Sequence, residues 1–191
     1  VRMIYLSSKV RKYKKGKGKQ SMIKIDDWVI EKGEKAQGKI KISGNGMAMP
    51  ATVICGVEDG PTVLITAGIH SAEYVGIQAA MELAKEFQPE ELKGNVIIVP
   101  LVNVSGFEHR TMSLVYEDGK NLNRVFPGDP EGTAADRIAY TIVTKLFSIA
   151  DYYIDLHSGD GFEQLHPYVY YVGVVDEKQQ RSHCIWHGIS A

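Results

Sequence analysis

Two histidines and one glutamate stand where apolar segments of the chain end. His70 and Glu73 lie three residues apart in H-S-A-E, directly after the apolar run at residues 62–69, and His157 ends a second apolar run in D-L-H-S-G. Two imidazoles and one carboxylate form a zinc ligand set that leaves a fourth position for water or substrate. Zinc in such a site lowers the pKa of bound water and polarises a carbonyl group. These residues therefore indicate hydrolytic chemistry.

The pair of His70 and Glu73 is ambiguous by itself. Glu73 could instead complement the positive end of a helix dipole, with His70 as a hydrogen-bonded residue at a strand end. For the pair alone the two interpretations are equally good, but His157 favours the metal site because it completes a three-ligand set. Manganese, cobalt and iron accept overlapping ligands, so residue types leave the metal open and zinc is the first hypothesis.

The segment from residue 103 to residue 128 supplies side chains that could bind an anionic substrate. Arginine grips carboxylates with two parallel hydrogen bonds, so Asn123 and Arg124 are candidates for binding a substrate carboxylate. Arg110 is a candidate for stabilising the oxyanion of a tetrahedral intermediate. The alternative for these arginines is an ordinary surface salt bridge.

The elements that must position these residues follow from hydrophobic periodicity. Residues 62–70 and 95–104 are continuously apolar and predict buried parallel strands. Helical spacing at residues 72–87, with Ser71 as N-cap, places a helix between them. A capping box at Thr133 and Asp136 begins a helix that runs to about residue 150. Further predictions are a hairpin at residues 38–56, a turn at 58–61, a long loop at 105–132 and strands at 152–157 and 168–175. The class is α/β, and the metal-site candidates lie at the carboxyl ends of sheet strands, where such folds bind ligands.

Four segments in this order and spacing resemble the succinylglutamate desuccinylase/aspartoacylase family of the zinc carboxypeptidase-like superfamily. They are G-I-H-S-A-E at residues 68–73, N-V-S-G-x-x-x-R at 103–110, N-L-N-R-V-F-P-G at 121–128 and D-L-H-S-G at 155–159. The resemblance covers residues 22–175 and implies a three-layer fold, with a mostly parallel mixed sheet flanked by helices and preceded by an N-terminal β-hairpin.

The resemblance also implies residue roles. His70, Glu73 and His157 would hold one zinc ion per chain, Arg110 would polarise the scissile carbonyl, and Asn123 with Arg124 would bind the substrate carboxylate. The implied activity is a deacylase that cleaves the amide bond of a small, anionic N-acylated amino acid or related amine, with zinc-activated water as nucleophile. A carboxypeptidase-like peptidase is the alternative within the superfamily.

Two departures from the family pattern affect the expected activity. Asn121 stands where the superfamily usually has Asp, a residue that accepts a hydrogen bond from a ligand histidine, so the ligand loses a nearby negative charge. No residue matches the family's catalytic glutamate, the general base; Asp160 and Glu163 are acids near His157, but neither lies in an equivalent motif. Since a general base typically contributes about 10²- to 10⁴-fold in rate, a catalytically inactive metal-binding fragment is the second hypothesis.

Composition sets the remaining expectations. The 191 residues carry a net charge of −1, with 44% hydrophobic and 24% charged residues, as in an ordinary globular domain. Residues 1–21 hold eight of the 22 Lys and Arg residues and no acid, so they predict a basic, disordered arm, which could also lie upstream of a true start at Met22. Residues 22–191 carry a net charge of −9, which argues against nucleic-acid binding. The family resemblance implies that these residues form an incomplete zinc-hydrolase catalytic domain.

The ends of the chain and its cysteines give three further expectations. No apolar run is long enough to span a membrane. Cys55 and Cys184 form no metal or disulfide pattern, so we expect a cytoplasmic protein. Loss of periodicity after about Asp176 predicts a truncated or frameshifted end, although the histidine- and cysteine-containing segment at residues 183–187 could alternatively bind metal.

Overall fold

The computed structural model describes residues 3–7, 22–44, 46–166 and 168–172. The strands are β1 (Met3–Ser7), β2 (Met22–Ile25), β3 (Trp28–Glu31), β4 (Lys35–Lys41), β5 (Ala48–Cys55), β6 (Glu58–Ala67), β7 (Lys93–Val99), β8 (Tyr152–His157) and β9 (Tyr168–Val172). The helices are α1 (Tyr74–Glu86), α2 (Val104–His109) and α3 (Ala134–Thr141), and a π-helical segment at Ile142–Leu146 continues α3. Short 3₁₀ turns lie at Pro89–Glu91 and Leu122–Arg124.

Seven strands form one mixed sheet in the order β4-β5-β7-β6-β8-β1-β9. The central strands β7, β6 and β8 run parallel, whereas β4 and β5 pair antiparallel with each other and β5 pairs antiparallel with β7. Strands β2 and β3 make a separate antiparallel pair. The α/β class and the mixed sheet flanked by helices are therefore confirmed.

Both faces of the sheet are covered, because successive apolar residues of the central strands pack into different hydrophobic clusters. On β6 the neighbours Leu64 and Ile65 belong to different hydrophobic clusters. Ile65 lies with Ile77 and Ala80 of α1, and Leu64 lies in the cluster that includes Ile138 of α3. This alternation gives the three layers that continuously apolar parallel strands predict.

The predicted elements are present, but several bounds differ. The hairpin is β4 and β5, and the capping box begins α3 as predicted. The predicted turn at residues 58–61 is wrong, because these residues begin β6. The strand predicted at 95–104 ends at Val99, and α2 occupies the start of the segment predicted to be a loop. Ser71 is not the N-cap of α1: Glu73 occupies that position.

The two ends of the chain are described only in part. Met3–Ser7, within the arm predicted to be disordered, form β1 between β8 and β9. The remainder of the arm and the candidate metal-binding segment at residues 183–187 lie outside the described residues. No helix in the described part of the chain has both the length and the apolar character needed to cross a membrane.

Candidate active site

The structure brings the three predicted metal ligands together at one edge of the sheet. His70 follows β6, Glu73 immediately precedes α1, and His157 is the last residue of β8. Strands β6 and β8 are parallel neighbours, so their carboxyl ends meet. One ligand atom from each side chain lies within 4.8 Å of the others, and within the described ranges this is the one group of its kind.

The Glu73 carboxylate lies between the two imidazole rings. Its Oε1 is 2.9 Å from His70 Nδ1 and its Oε2 is 2.7 Å from His157 Nδ1. The backbone N–H of Ser158 also donates a hydrogen bond to Oε2. Glu73 and His157 are only 4% and 1% exposed, respectively. The same nitrogen of each ring therefore faces one buried carboxylate.

The opposite nitrogen of each ring is held by an oxygen acceptor. His70 Nε2 lies 3.1 Å from Asn121 Oδ1, and His157 Nε2 lies 2.7 Å from Asp155 Oδ2. The Asn123 backbone N–H also donates to Asn121 Oδ1, which identifies that atom as the oxygen of the amide. Because both acceptors are oxygens, each Nε2 carries the proton and donates it. The Nδ1 lone pairs are then available to a cation, so the donor set fits zinc.

Electrostatics also favour a positive charge at this place. Burial alone would lower the pKa of His157, but the Asp155 and Glu73 carboxylates outweigh burial and raise it to about 10. Burial opposes ionisation of Glu73 too, yet hydrogen bonds to His157 and His70 hold its pKa below the usual value. The pKa of His70 is raised by Glu73 against the effect of burial. In the metal-free chain a proton on His157 supplies such a charge, and a divalent cation at the Nδ1 atoms could take its place.

Asp155 is a supporting residue to which the sequence analysis gives no role. It accepts a hydrogen bond from Thr66 Oγ1 at 2.6 Å, and Tyr153 Oη lies 2.9 Å from the same Thr66 oxygen. Since Thr66 gives its single proton to Asp155, Tyr153 must donate to Thr66. The D-x-H spacing could have identified Asp155 from the sequence, because residues two apart on a strand lie on the same face.

The close approach of α1 to β8 places Glu73 beside His157. A Cβ atom at Gly76, in the first turn of α1, would lie 2.8 Å from the Leu156 carbonyl oxygen. Glycine lets the helix backbone contact the strand immediately before His157. The H-S-A-E motif therefore depends on a glycine three residues beyond it.

Arg110 is positioned by a short helix with a defined beginning and end. The Asn103 side chain accepts a hydrogen bond from Gly106 N at the start of α2, and Arg110 ends the helix in the left-handed conformation, with φ 57°. The side chain of Arg110 lines a cavity that Ser71 also lines. Arg110 forms no ion pair with another described residue, so the surface salt bridge is not observed.

Asn123 and Arg124 are connected to the ligand site through one residue. They lie in the 3₁₀ turn that Asn121 begins, and Asn121 Oδ1 bonds both Asn123 N and His70 Nε2. Arg124 is exposed and makes no ion pair with any described residue. The Asn123 backbone and the Nε2 edge of His70 thus share the same side-chain oxygen of Asn121.

Comparison with known proteins identifies the family of this chain. The succinylglutamate desuccinylase/aspartoacylase catalytic domain matches residues 59–186, a span that contains every site residue named above. The chain belongs to this family. The family assignment made from the four motifs is therefore confirmed.

The relatives are bacterial proteins with longer chains. N-alpha-acetyl-L-2,4-diaminobutyric acid deacetylase of Halomonas elongata is 38% identical over 154 residues, covering 80% of this chain and 42% of the relative. A succinylglutamate desuccinylase/aspartoacylase crystal structure from Rhodobacter sphaeroides has a TM-score of 0.62 at 32% identity, over 72% of this chain and 42% of that one. The product-bound ectoine utilization protein EutE (DoeB) from Ruegeria pomeroyi has a TM-score of 0.60 at 33% identity, over 74% and 44%. This chain thus spans less than half the length of these relatives.

Proposed function

We propose that this protein is a zinc-dependent deacylase. Its substrate would be a small, anionic N-acylated amino acid or related amine, whose amide bond it would cleave. The observation that carries the proposal is the paired arrangement of Nδ1 atoms around Glu73, with both Nε2 atoms held by acceptors. The deacetylase relative supports amide hydrolysis. We expect this protein to work in the cytoplasm.

His70, Glu73 and His157 would hold the zinc ion. When bound, zinc in such a site supplies Lewis acidity and lowers the pKa of coordinated water. Asn121 and Asp155 keep the two ligand rings oriented through their Nε2 protons.

Two arginines have separate proposed roles towards the substrate. Arg110 would donate to the acyl carbonyl oxygen and stabilise the negative charge that develops on it, which is worth about 10²- to 10³-fold in kcat for one such donor. Arg124, together with Asn123, would bind the substrate carboxylate. The absence of an ion pair between either arginine and another described residue supports roles towards an external anion. The general base is unassigned.

The test combines metal analysis of the purified chain with a deacylation assay. Plasma mass spectrometry after zinc loading should find one equivalent of zinc. A double variant, His70→Ala with His157→Ala, should lose it, whereas the matched control His109→Ala should keep it, because His109 bonds Ser105 and lies outside the ligand group. Stoichiometric zinc in the double variant would refute the ligand assignment.

The assay then uses N-acyl amino acids and the corresponding amides without a carboxylate. Arg110→Ala should lower kcat. Arg124→Ala should raise KM about 10- to 100-fold, since it removes hydrogen bonds to a charged group. Arg124→Lys should recover only part of that binding, because lysine cannot form the bidentate pair. One equivalent of zinc without turnover on any substrate would favour the metal-binding fragment over a competent enzyme.

A further inference from the structure

A largely apolar cavity opens next to the segment that joins two of the metal ligands. Its volume is about 180 Å³. Ser71 and Ala72, which lie between His70 and Glu73 in the chain, form part of its lining. The other lining residues are Tyr74, Gly106, Phe107, Arg110, Met112, Gly161 and Phe162.

The walls of this cavity are tied to the ligand segment by hydrogen bonds. Ser71 N and Ser71 Oγ donate to the Met112 carbonyl oxygen at 2.8 and 2.7 Å. On the other side, Gly161 N donates to the Ala72 carbonyl oxygen at 2.9 Å. The rings of Tyr74 and Phe107 meet edge to face, with centroids 6.1 Å apart. The cavity is therefore fixed relative to the site.

We propose that this cavity holds the acyl group of the substrate and that it selects apolar acyl groups about the size of a benzoyl ring. The inference rests on the proposed deacylase function. Arg110, proposed to bind the acyl carbonyl oxygen, itself lines the cavity. The group attached to that carbonyl is thus within reach of the apolar walls.

The other half of the substrate is directed elsewhere. Its carboxylate is assigned to Asn123 and Arg124, which are connected through Asn121 to the Nε2 edge of His70. Ser71, at the edge of the cavity, lies on the chain between His70 and Glu73. If Arg124 binds the amino-acid half of the substrate, the acyl half is free to enter the cavity.

The size and lining of the cavity define the preferred acyl group. An apolar protein cavity of about 150 Å³ is large enough to bind benzene, so 180 Å³ greatly exceeds what an acetyl methyl group fills. Phe107 and Met112 are 43% and 51% exposed, so an apolar ligand would remove their surface from water. Arg110 provides the one formal charge of the lining, which suits the carbonyl of an amide or the carboxylate of a released acid.

The test measures binding of a product acid without requiring turnover. Benzoate is titrated into the chain labelled with ¹³C at the methionine methyl groups, and the Met112 and Met81 resonances are assigned by their loss in Met112→Ala and Met81→Ala. Met81 is the matched control, being 42% exposed on α1 and outside the cavity lining. Benzoate should shift the Met112 methyl resonance through its ring current and leave Met81 unchanged.

Affinity then tests the apolar contacts. Benzoate should bind at least about 10-fold more tightly than acetate, and Phe107→Ala should weaken benzoate binding about 3- to 10-fold. Tyr116→Ala is the control, since Tyr116 is an aromatic residue that is 53% exposed and stacks on His109 outside the lining. Unchanged methyl positions elsewhere in the spectrum would show that Phe107→Ala is folded.

The outcomes separate this subsite from the proposed function. An unmoved Met112 resonance, equal shifts at Met112 and Met81, or equal affinities for acetate and benzoate would overturn the subsite. Zinc-loaded protein is also assayed on N-acetyl and N-benzoyl derivatives of one amino acid. Benzoate binding without cleavage of either derivative would retain the apolar ligand site but count against deacylase activity in this chain. Cleavage without benzoate binding would retain the deacylase activity and overturn the subsite.

Discussion

Replacing Gly76 with alanine should weaken zinc binding, although Gly76 is not a ligand. The added Cβ would lie 2.8 Å from the Leu156 carbonyl oxygen and 3.2 Å from its carbon. Since comfortable contacts are about 3.5 Å or longer, the first turn of α1 must move away from β8 by roughly 0.5–1 Å. Glu73, at the beginning of α1, would move with it away from His157.

This displacement is large on the scale of metal coordination. Ligand distances in metal sites are held within about 0.2 Å of their preferred values, so we expect zinc affinity to fall about 10- to 100-fold, as when a supporting contact at a metal site is lost. Overpacking costs about 1–3 kcal/mol of folding free energy, and the higher helix propensity of alanine offsets about 1 kcal/mol. The net loss of stability should therefore be about 0–2 kcal/mol.

Zinc affinity would be measured by competition with a chromophoric chelator, and stability by urea denaturation with excess chelator present. Val75→Ala is the matched control, because it also raises helix propensity in the first turn of α1 but alters an exposed side chain. The control should bind zinc like the parent chain. If Gly76→Ala is folded and its zinc affinity stays within about twofold, close packing of α1 on β8 does not position Glu73, and the reasoning fails.

Three further predictions concern the groups around the ligands. Asp155→Asn should lower the pKa of His157 in the metal-free chain from about 10 and weaken zinc binding about 10- to 100-fold. Imidazole NMR titration measures the pKa, and chelator competition measures the zinc affinity. An unchanged His157 pKa would contradict the role of Asp155. Asn121→Asp should strengthen zinc binding, because a carboxylate makes His70 a more basic ligand; the same competition assay checks it, and weaker binding by a folded variant would disprove it. The pKa of His157 is higher in the folded chain than in the unfolded chain, so protonation of His157 stabilises the metal-free fold. This stabilisation is complete below about pH 6.5 and is lost as pH rises through about 10. Urea midpoints of the metal-free parent should therefore fall over this interval relative to Asp155→Asn, and parallel curves would refute the coupling.

The sequence predicts much of the fold because its central segments admit few alternatives. Residues 62–67 and 95–99 are apolar apart from Thr62, Thr66 and Asn95, which suits strands buried on both faces. The capping box of Thr133 and Asp136 begins α3 where expected. Bounds are less predictable where tertiary contacts decide them. Val104 continues an apolar run, yet Asn103 caps a helix there. Ser71 has the residue type of an N-cap, yet its hydroxyl donates to Met112, 41 residues away.

The types and spacing of His70, Glu73 and His157 determined the ligand candidates, because few residue types bind zinc and all three lie where apolar segments end. Tertiary structure decided which ring nitrogen faces Glu73, since that depends on Asn121 and Asp155 holding the opposite nitrogens. Tertiary structure also decided what surrounds Arg110. Residues from α1, α2 and the segment after β8 form its cavity, and their convergence depends on packing across the sheet, which no local pattern encodes.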